Sequence, residues 1–557
     1  MKPLQSRASA VLHDGVRAAF APEALKFDLA TRDVERAQRR RLEAVLSAVR
    51  FSGQGRALGL RHVRTAREFA DCVPVGGPQR VAPWVQRALE GQHDALTSDA
   101  PVRFELSGGS SGPSKHVPMT RGLLGEFHRA LAPWLIDLLT SRPHLRRGPS
   151  YWSISPIGAR GGRSRGGLPI GSASDASYFP PPLRPAVERI LAVPSELALL
   201  PDVETCRYVT LRCLLERADV AFVSVWNPSF LTLLLESLDA QWEALAEDLQ
   251  NGACRAVPPL LAHAFAGRFR RAPHEAARLR SLYAGVREGR VRRPSAAELF
   301  PQLELVSCWT DAEAARALPS MTARLGNVEV QSKGLLATEG VVTFPLFAAP
   351  APVLAVRSHF YEFLDPSRHD ARPLLAHELQ RGGVYEPLLS TSGGFLRYRL
   401  GDRVRVEGFH REAPCLRFLG RADAVVDLVG EKLSADWASR ALAESLREAA
   451  LEGEVSFSMI APEWSSPPAY HLYVEASVTE PVLSELARKL DARLCTGHAY
   501  GYARNLGQLG PVKAVRVRDG RRRYESRCVA LGQRAGDIKP VDLHRQPGWL
   551  AHFGDAS

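Results

Sequence analysis

The stretch FELSGGSSGPSKHVPMT, Phe104 to Thr120, joins an apolar segment to a loop of serine and glycine that ends at Lys115. Glycine lets backbone N–H groups approach an anion closely, and successive amides form a concave anion site. Ser110 and Ser111 add hydroxyl donors, and Lys115 adds a compact positive charge on a flexible stem. The composition of this Ser/Gly loop predicts a phosphate site, although a flexible surface turn has the same composition.

Two familiar phosphate motifs do not fit the Ser/Gly loop. A Walker A loop needs glycine directly before a lysine that opens a helix, whereas two residues separate Gly112 from Lys115. Pro118 favours extended backbone at Val117, which argues against a helix starting at Lys115. The glycine spacing also misses the dinucleotide fingerprint. We therefore expect the loop to lie between two extended segments, the first at residues 102–106.

The composition excludes several classes of protein. The chain has 557 residues, 24% charged and 45% apolar, which is typical of a globular protein with several domains. Its net charge is +12, but only eight of the 72 basic residues are lysine and the arginines are scattered. Aromatic residues do not interleave with basic ones, so no nucleic-acid partner is expected.

The cysteines and the apolar segments indicate the compartment. No cysteine pair is spaced C-x-x-C, so scattered buried thiols in a reducing compartment are expected. The amino terminus has no clear signal sequence. The most apolar run, residues 220–238, is interrupted by Asn227 and Pro228, which predict a helix start rather than a membrane span. We expect a cytoplasmic protein without a membrane partner, and its oligomeric state stays open.

Periodicity predicts several elements. Apolar residues fall on one face of a helix over 33–49, and another helix is expected after Thr120, whereas residues 1–30 show no clear pattern. Strands alternate with helices towards residue 350, with a helix over 311–318 between two buried strands. Strands at 454–461, 470–477 and 511–517, with helices at 481–494 and 521–532, predict a small α+β unit at the carboxyl end.

Further motifs follow the Ser/Gly loop in order. They are ATEG (337–340), RYRLGD (397–402), FLGRADAVVDLVGEKLS (418–434) and GQRAGDIKPV (532–541). Together they resemble the adenylate-forming superfamily. The chain is similar to the GH3 family of acyl acid amido synthetases in four segments: FYEFLDP (360–366), VSVWNPSFL, VSCWTDAEAA and the segment that follows RYRLGD. The resemblance runs from about residue 38 to 551. Composition favours a bacterial member.

The resemblance implies an α/β fold in which a large multi-sheet domain, residues 1–425, binds ATP and the acyl acid. A small mobile α+β domain, residues 426–557, would carry the catalytic Lys539. An exposed lysine before Pro540 would leave the same pattern in the sequence. The implied site residues for the departing phosphates of ATP are Ser107, Gly109, Ser110, Ser111, Gly112 and Lys115.

The resemblance also assigns roles to the later motifs. Thr338 would contact the α-phosphate or the acyl carboxylate, and Glu339 would hold Mg²⁺, which prefers oxygen ligands. Asp402 would accept hydrogen bonds from the ribose hydroxyls.

The remaining implied contacts lie around the nucleotide and at the joint between the domains. Phe418 and Tyr361 would pack against the ribose or adenine. Arg421 and Asp423 would form the hinge, and Arg421 would also reach the nucleotide.

The implied reaction is ATP-dependent joining of a carboxylic acid to an amine, with an amino acid as the expected amine. Two alternatives stay open. The intact G-R-x-D hinge is also typical of acid–thiol ligases that form acyl-CoA, and a non-catalytic nucleotide-binding relative would keep part of the motif set. The identities of the acid and of the amine cannot be inferred from the sequence.

Overall fold

The computed structural model describes residues 3–107, 115–153, 162–171, 175–286, 288–368, 372–421, 425–530 and 541–553. The chain divides into two compact units, the first formed by residues 1–107 and 116–420 and the second by residues 108–115 together with those from Arg421 onward. The predicted assignment of ATP and acyl binding to residues 1–425, and of the catalytic lysine to residues 426–557, stays a prediction.

Helices make up much of both units. Those of the first unit are α1 Pro3–Ala30, α2 Val34–Val49, α3 Gly53–Ala57, α4 Ala66–Cys72, α5 Pro78–Leu89, α6 Arg121–Ser141, α7 Arg184–Ile190, α8 Val203–Glu216, α9 Pro228–Asn251, α10 Pro273–Tyr283, α11 Ala296–Leu299 and α12 Leu318–Leu325. Those of the second unit are α13 Ala435–Glu448, α14 Glu480–Leu494, α15 His498–Asn505, α16 Gly520–Ala530 and α17 Trp549–Phe553.

The strands are mostly short. They are β1 Pro101–Ser107, β2 Lys115–Thr120, β3 Ser150–Trp152, β4 Gly162–Arg163, β5 Pro169–Ile170, β6 Phe222–Ser224, β7 Leu305–Cys308, β8 Glu329–Ser332, β9 Leu336–Ala337, β10 Gly340–Val341, β11 Thr343–Phe344 and β12 Val353–Leu354. They continue as β13 Phe360–Leu364, β14 Leu374–Leu375, β15 Val384–Ser390, β16 Tyr398–Arg399, β17 Asp402–His410, β18 Ala413–Arg421, β19 Val425–Val426, β20 Leu433–Ser434, β21 Val455–Glu463, β22 Ala469–Ala476 and β23 Lys513–Arg516.

A parallel sheet of order β3-β6-β7-β8 lies between helices in the first unit. Successive side chains of a strand point to opposite faces. Phe222 and Leu305 belong to the apolar cluster that contains residues of α1 and α6. Val223 and Val306 belong to the cluster that contains residues of α8 and α9. Helices thus cover both faces, and the carboxyl ends of the four strands share one edge of the sheet.

A larger sheet has the order β11-β12-β18-β17-β15-β13-β14, with β16 paired to β15. Its described pairings are antiparallel, and its strands β16, β17 and β18 carry the motifs of residues 398–421. A four-stranded sheet, β2-β1-β5-β4, contains the strands on either side of the Ser/Gly loop. The prediction of a strand at residues 102–106, and of extended backbone after the loop, is confirmed.

Helix α9 begins as its sequence predicts. Asn227 is the N-cap, its side chain accepts a hydrogen bond from the Ser229 backbone N–H at 3.0 Å, and Pro228 occupies the first turn. Helix α2 also matches its predicted range, and Leu42 and Leu46 on its apolar face are buried.

Residues 1–30 differ from expectation, because residues 3–30 form the long helix α1. Pro22 lies inside this helix and weakened its sequence signal. Val16, Phe20 and Phe27 are buried and lie in the apolar cluster with residues of α6. Tertiary packing therefore provides the stability that the local pattern did not predict.

The second unit contains the α+β arrangement that the sequence predicts. Strands β21, β22 and β23 form one sheet, and their buried side chains pack with those of α13 and α14. Glu431 lies in the same unit, buried, and accepts hydrogen bonds from the backbone N–H groups of Leu428 and Val429 and from the Tyr470 hydroxyl. Burial, and then the charge of Asp427, raise the pKa of Glu431 to about 8.

All eight cysteines are free thiols, and none is exposed. Burial raises the pKa of Cys206 and of Cys415 to about 11. Among the described helices, none is both long enough and apolar enough to cross a membrane.

Candidate active site

Thr338, Glu339 and Gly340, here called the Thr-Glu-Gly turn, join two short antiparallel strands. Ala337 pairs with Gly340, and Leu336 pairs with Val341, so that Thr338 and Glu339 form a two-residue hairpin loop. Both loop residues are half-buried, whereas Gly340 is buried. The turn therefore presents a hydroxyl and a carboxylate from a backbone that is fixed on both sides.

A buried network of polar and charged side chains lies beneath this turn. His359 Nε2 accepts the Val341 backbone N–H at 3.1 Å, and His359 Nδ1 is 2.9 Å from Glu126 Oε2. Glu126, on α6, also receives Arg41 at 2.8 Å and the Ser392 hydroxyl at 2.6 Å. Neither His359 nor Glu126 is exposed. This network connects the turn to α2, to α6 and to the loop after β15.

Charge balance sets the state of Glu126. Burial alone would raise the pKa of a carboxyl group, but His359, Arg41 and Ser392 more than offset burial and lower the pKa of Glu126 below its usual value. Glu126 is therefore ionised at neutral pH and holds the donors around it.

The contacts of Tyr361 differ from its predicted role. Its hydroxyl donates to the carbonyls of Val341 at 2.6 Å and Ala355 at 3.2 Å, and its side chain is fully buried. Full burial leaves no exposed ring for an adenine or ribose to contact. The surroundings of Tyr361 argue against the predicted nucleotide contact. Tyr361 instead stabilises strand β10 through its hydrogen bond to Val341.

The segment Arg397–Asp402 meets the Thr-Glu-Gly turn through Tyr398. The Tyr398 hydroxyl donates to Glu339 Oε1 at 3.3 Å, and the Tyr398 ring stacks on Phe395 at 4.9 Å between centroids. Two motifs separated by about sixty residues of sequence are thus in direct contact. The sequence identifies the motif that contains Tyr398, but it does not predict that Tyr398 contacts Glu339.

Arg397 fixes the backbone of this segment. Its φ of 42° is in the left-handed region, and its guanidinium donates to Glu362 at 2.9 Å and to the Val73 carbonyl at 2.7 Å. Asp402 is 6% exposed and begins β17, directly after Gly401 with φ 79°. A glycine is needed there because that φ is strained for other residues.

Phe418 is half-buried on β18. Its backbone N–H donates to the Asp311 carboxylate, which also receives Arg417 at 3.2 Å. The predicted packing of Phe418 against a nucleotide stays a prediction.

Other predicted residues are described only in part or not at all. Lys115 begins β2 and is half-buried. Ser107 ends β1 and Arg421 ends β18, but their side chains are not described. Gly109, Ser110, Ser111, Gly112, Asp423 and Lys539 lie outside the described residues.

A magnesium ion fits the donors present here. Mg²⁺ is commonly held through one or two carboxylates together with substrate phosphates. In the described part of the chain, no group of three or more histidine, cysteine or acidic residues could hold a metal by itself. Glu339, half-buried at the loop of a hairpin, offers the single carboxylate that such a shared site needs.

Glu126 and His359 were missed by sequence reasoning. The only sequence signal was an acidic residue beside Phe127 on the apolar face of the helix after Thr120. A lone acidic residue on such a face is not specific enough to predict a network.

The chain matches known proteins along most of its length. The N-terminal domain of the GH3 family matches residues 24–330, its central domain residues 352–421 and its C-terminal domain residues 437–547. The sequence is 23% identical over 529 residues to the jasmonoyl–L-amino acid synthetase GH3.5 of Oryza sativa subsp. japonica, covering 89% of each chain. It is 23% identical over 502 residues to the indole-3-acetic acid-amido synthetase GH3.10 of Arabidopsis thaliana, covering 83% of each chain.

A solved structure shares the fold. The GH3.15 acyl acid amido synthetase superposes with a TM-score of 0.63 at 19% identity, covering 96% of both chains. The predicted α/β fold class is confirmed by this likeness.

Proposed function

This chain belongs to the GH3 family, and we propose that it is an acyl acid amido synthetase that uses ATP and Mg²⁺. It activates a carboxylic acid as an acyl-adenylate and transfers the acyl group to an amine, an amino acid being the expected acceptor. The observation that carries the proposal is the Tyr398–Glu339 hydrogen bond, which joins the ATEG and RYRLGD motifs at one place.

The first half-reaction forms the acyl-adenylate. A carboxylate oxygen attacks the α-phosphorus of ATP, the bond to the β-phosphate oxygen breaks, and pyrophosphate leaves. Lys115 and the Ser/Gly loop neutralise the departing phosphates, and Thr338 positions the carboxylate or α-phosphate. Mg²⁺ held at Glu339 would neutralise phosphate charge. Such reactions depend mainly on positioning and charge stabilisation.

The second half-reaction forms the amide. The amine nitrogen attacks the acyl carbon, the bond between that carbon and the AMP oxygen breaks, and the nitrogen loses a proton. Asp402 holds the ribose in both half-reactions, whereas Lys539 stabilises charge on the α-phosphate and the carboxylate during adenylation. We propose that the same residues retain AMP until the amide has formed.

One assay separates the candidate activities. Purified protein is supplied with ATP, Mg²⁺ and a panel of carboxylic acids, and pyrophosphate release is measured with amino acids or with CoA as acceptor. Acid-dependent release that is coupled to amide formation supports the proposal. Turnover only with CoA would instead identify an acid–thiol ligase, and ATP binding without release with any acid would identify a non-catalytic relative.

A further inference from the structure

Four side chains form a row across the parallel sheet. Trp152, Ser224, Ser307 and Gln331 come from β3, β6, β7 and β8, and each is the direct partner of the next in the strand register. Direct partners in a parallel sheet project from the same face. We call these residues the polar row. It lies at or near the carboxyl ends of its strands, the edge at which α/β sheets bind ligands.

Three groups of the polar row are buried without a hydrogen-bond partner among the described residues. They are the Trp152 indole N–H, the Ser307 hydroxyl and the Gln331 side-chain NH₂. Ser307 is 0% exposed and Gln331 is 7% exposed. A buried polar group without a partner destabilises a fold by about 1–3 kcal/mol. Three such groups in one row therefore give this edge of the sheet hydrogen-bonding capacity that the described residues do not use.

The orientation of Gln331 is determined by its neighbour. Trp134 on α6 donates its indole N–H to Gln331 Oε1 at 3.1 Å. An indole N–H is only a donor, so the carbonyl oxygen of the amide must face Trp134 and the NH₂ must face away. Trp152 and Gln331 consequently both offer donors, and Ser307 can donate as well.

A positive charge lies beside the row. Lys333, which follows β8, donates to the Ser224 hydroxyl at 2.6 Å and to the Val225 carbonyl at 3.0 Å. Its ammonium lies 4.5 Å from the ring centroid of Trp226. The surroundings of the row therefore favour a group that accepts hydrogen bonds.

An apolar cavity of about 40 Å³ adjoins the row at Trp152. Phe222 and Ser150 line it from the sheet, and Leu135 and Leu138 line it from α6. At about 15 Å³ for one water molecule, it has room for roughly three water-sized groups. A ligand that fills the cavity and also binds the polar row would combine a small apolar part with a hydrogen-bond acceptor.

We propose that the polar row selects the acyl acid, and that the acid carries a hydroxyl or carbonyl oxygen in addition to the carboxylate that is activated. The apolar part of the acid occupies the cavity, and the additional oxygen receives hydrogen bonds from Ser307, Gln331 and Trp152. This assignment rests on the proposed amido synthetase function, and it narrows the class of acid that the enzyme accepts.

Matched acids and conservative variants test the proposal. Butanoate, whose three-carbon apolar chain matches the size of the cavity, is compared with 3-hydroxybutanoate and 3-oxobutanoate by pyrophosphate release. The wild-type enzyme is expected to prefer the oxygenated member of a pair by at least tenfold in kcat/KM. Ser307→Ala and Trp152→Phe each remove one donor, and each should reduce the preference at least threefold, mainly through KM.

The melting temperature of the variants distinguishes a role of the polar row in acid recognition from a purely structural role. Because the Ser307 hydroxyl has no partner in the described structure, Ser307→Ala should keep or raise the melting temperature. Ser358→Ala is the matched control, since the Ser358 hydroxyl is equally buried and also lacks a described partner. It should leave the acid preference unchanged.

The possible outcomes separate the two proposals. Pyrophosphate release without a preference for the oxygenated acids, or a preference that both variants retain, overturns the role of the polar row and leaves the amido synthetase function intact. A lower melting temperature of Ser307→Ala with unchanged KM also overturns it. Absence of release with every acid overturns the function itself.

Discussion

Gly340 has no space for a side chain. A Cβ atom at this position would lie 2.6 Å from His359 Nε2 and 2.7 Å from Leu389 Cδ2. Overpacking of this kind costs about 1–3 kcal/mol, and it would displace the Thr-Glu-Gly turn from His359. Gly340→Ala should therefore lower acid-dependent pyrophosphate release at least tenfold, as measured by initial rates at saturating ATP.

The control for Gly340→Ala is Gly15→Ala. A Cβ atom at Gly15, within α1, would meet nothing within 4 Å, and alanine is the better helix former. Its activity should match that of the wild type. Full activity of Gly340→Ala would show that the position of the turn does not limit adenylation.

Glu126 should make stability depend on pH. Its folded-state pKa is lowered, so its stabilising contribution is present above the unfolded pKa of about 4.3 and is lost as the pH falls through the folded value. Glu126→Gln should lower the free energy of unfolding by about 3 kcal/mol at pH 7.

The difference in the free energy of unfolding between the wild type and Glu126→Gln should become smaller below about pH 4.3. Urea unfolding of both proteins between pH 3 and 7 provides the measurement. A difference in unfolding free energy that stays constant over this range would show that Glu126 does not titrate as its surroundings indicate.

Lys539 is the residue on which the proposed chemistry depends most. Lys539→Ala should reduce the rate of adenylation by at least a hundredfold, because one charge aimed at a transition state contributes about 3 kcal/mol, while ATP affinity changes little. Lys513→Ala, which removes an exposed lysine of the same unit, is the control. An unchanged adenylation rate in a pre-steady-state assay would disprove the assigned role.

The candidate site residues were only partly predictable. Glu339, Thr338 and Asp402 belong to contiguous motifs, so their identities can be found from local sequence alone. Glu126 and His359 are 233 residues apart in sequence and meet only through packing. The contacts of Tyr361 could not be predicted either, because the sequence of a strand does not specify which groups an aromatic hydroxyl will contact.

At the scale of elements, the start of α9 provides a direct test. Asn227 caps the helix through the Ser229 backbone N–H, and loss of an N-cap costs about 1 kcal/mol. Asn227→Ala should lower the free energy of unfolding by that amount, whereas Asn227→Asp, which keeps the acceptor, should be nearly neutral. Equal destabilisation by both variants in chemical denaturation would argue against the cap.

Elements with strong local signals were predicted well, and those that depend on distant partners were not. The caps and periodicity of α2 and α9 lie within their own sequences. By contrast, α1 is stabilised by α6, with which its apolar residues share a cluster. The order of the parallel strands, and hence the polar row, depends on pairings that no local pattern specifies.

At the scale of the molecule, the two units have cores of their own. Leu235 is buried in a cluster of the first unit and Leu490 in a cluster of the second. Replacing a buried leucine by alanine costs about 2–5 kcal/mol. Leu490→Ala should therefore increase hydrogen exchange in the second unit more than in the first, and Leu235→Ala should do the reverse. Equal increases throughout would indicate a single cooperative unit.

The state of the cysteines has a practical consequence for labelling. Only a thiolate reacts readily with maleimides and iodoacetamides, and the native thiols are shielded and in most cases hard to ionise. A single cysteine introduced at an exposed position should take up a fluorophore ahead of them. Spectroscopic probes can thus be attached to either unit during turnover without first replacing any native cysteine.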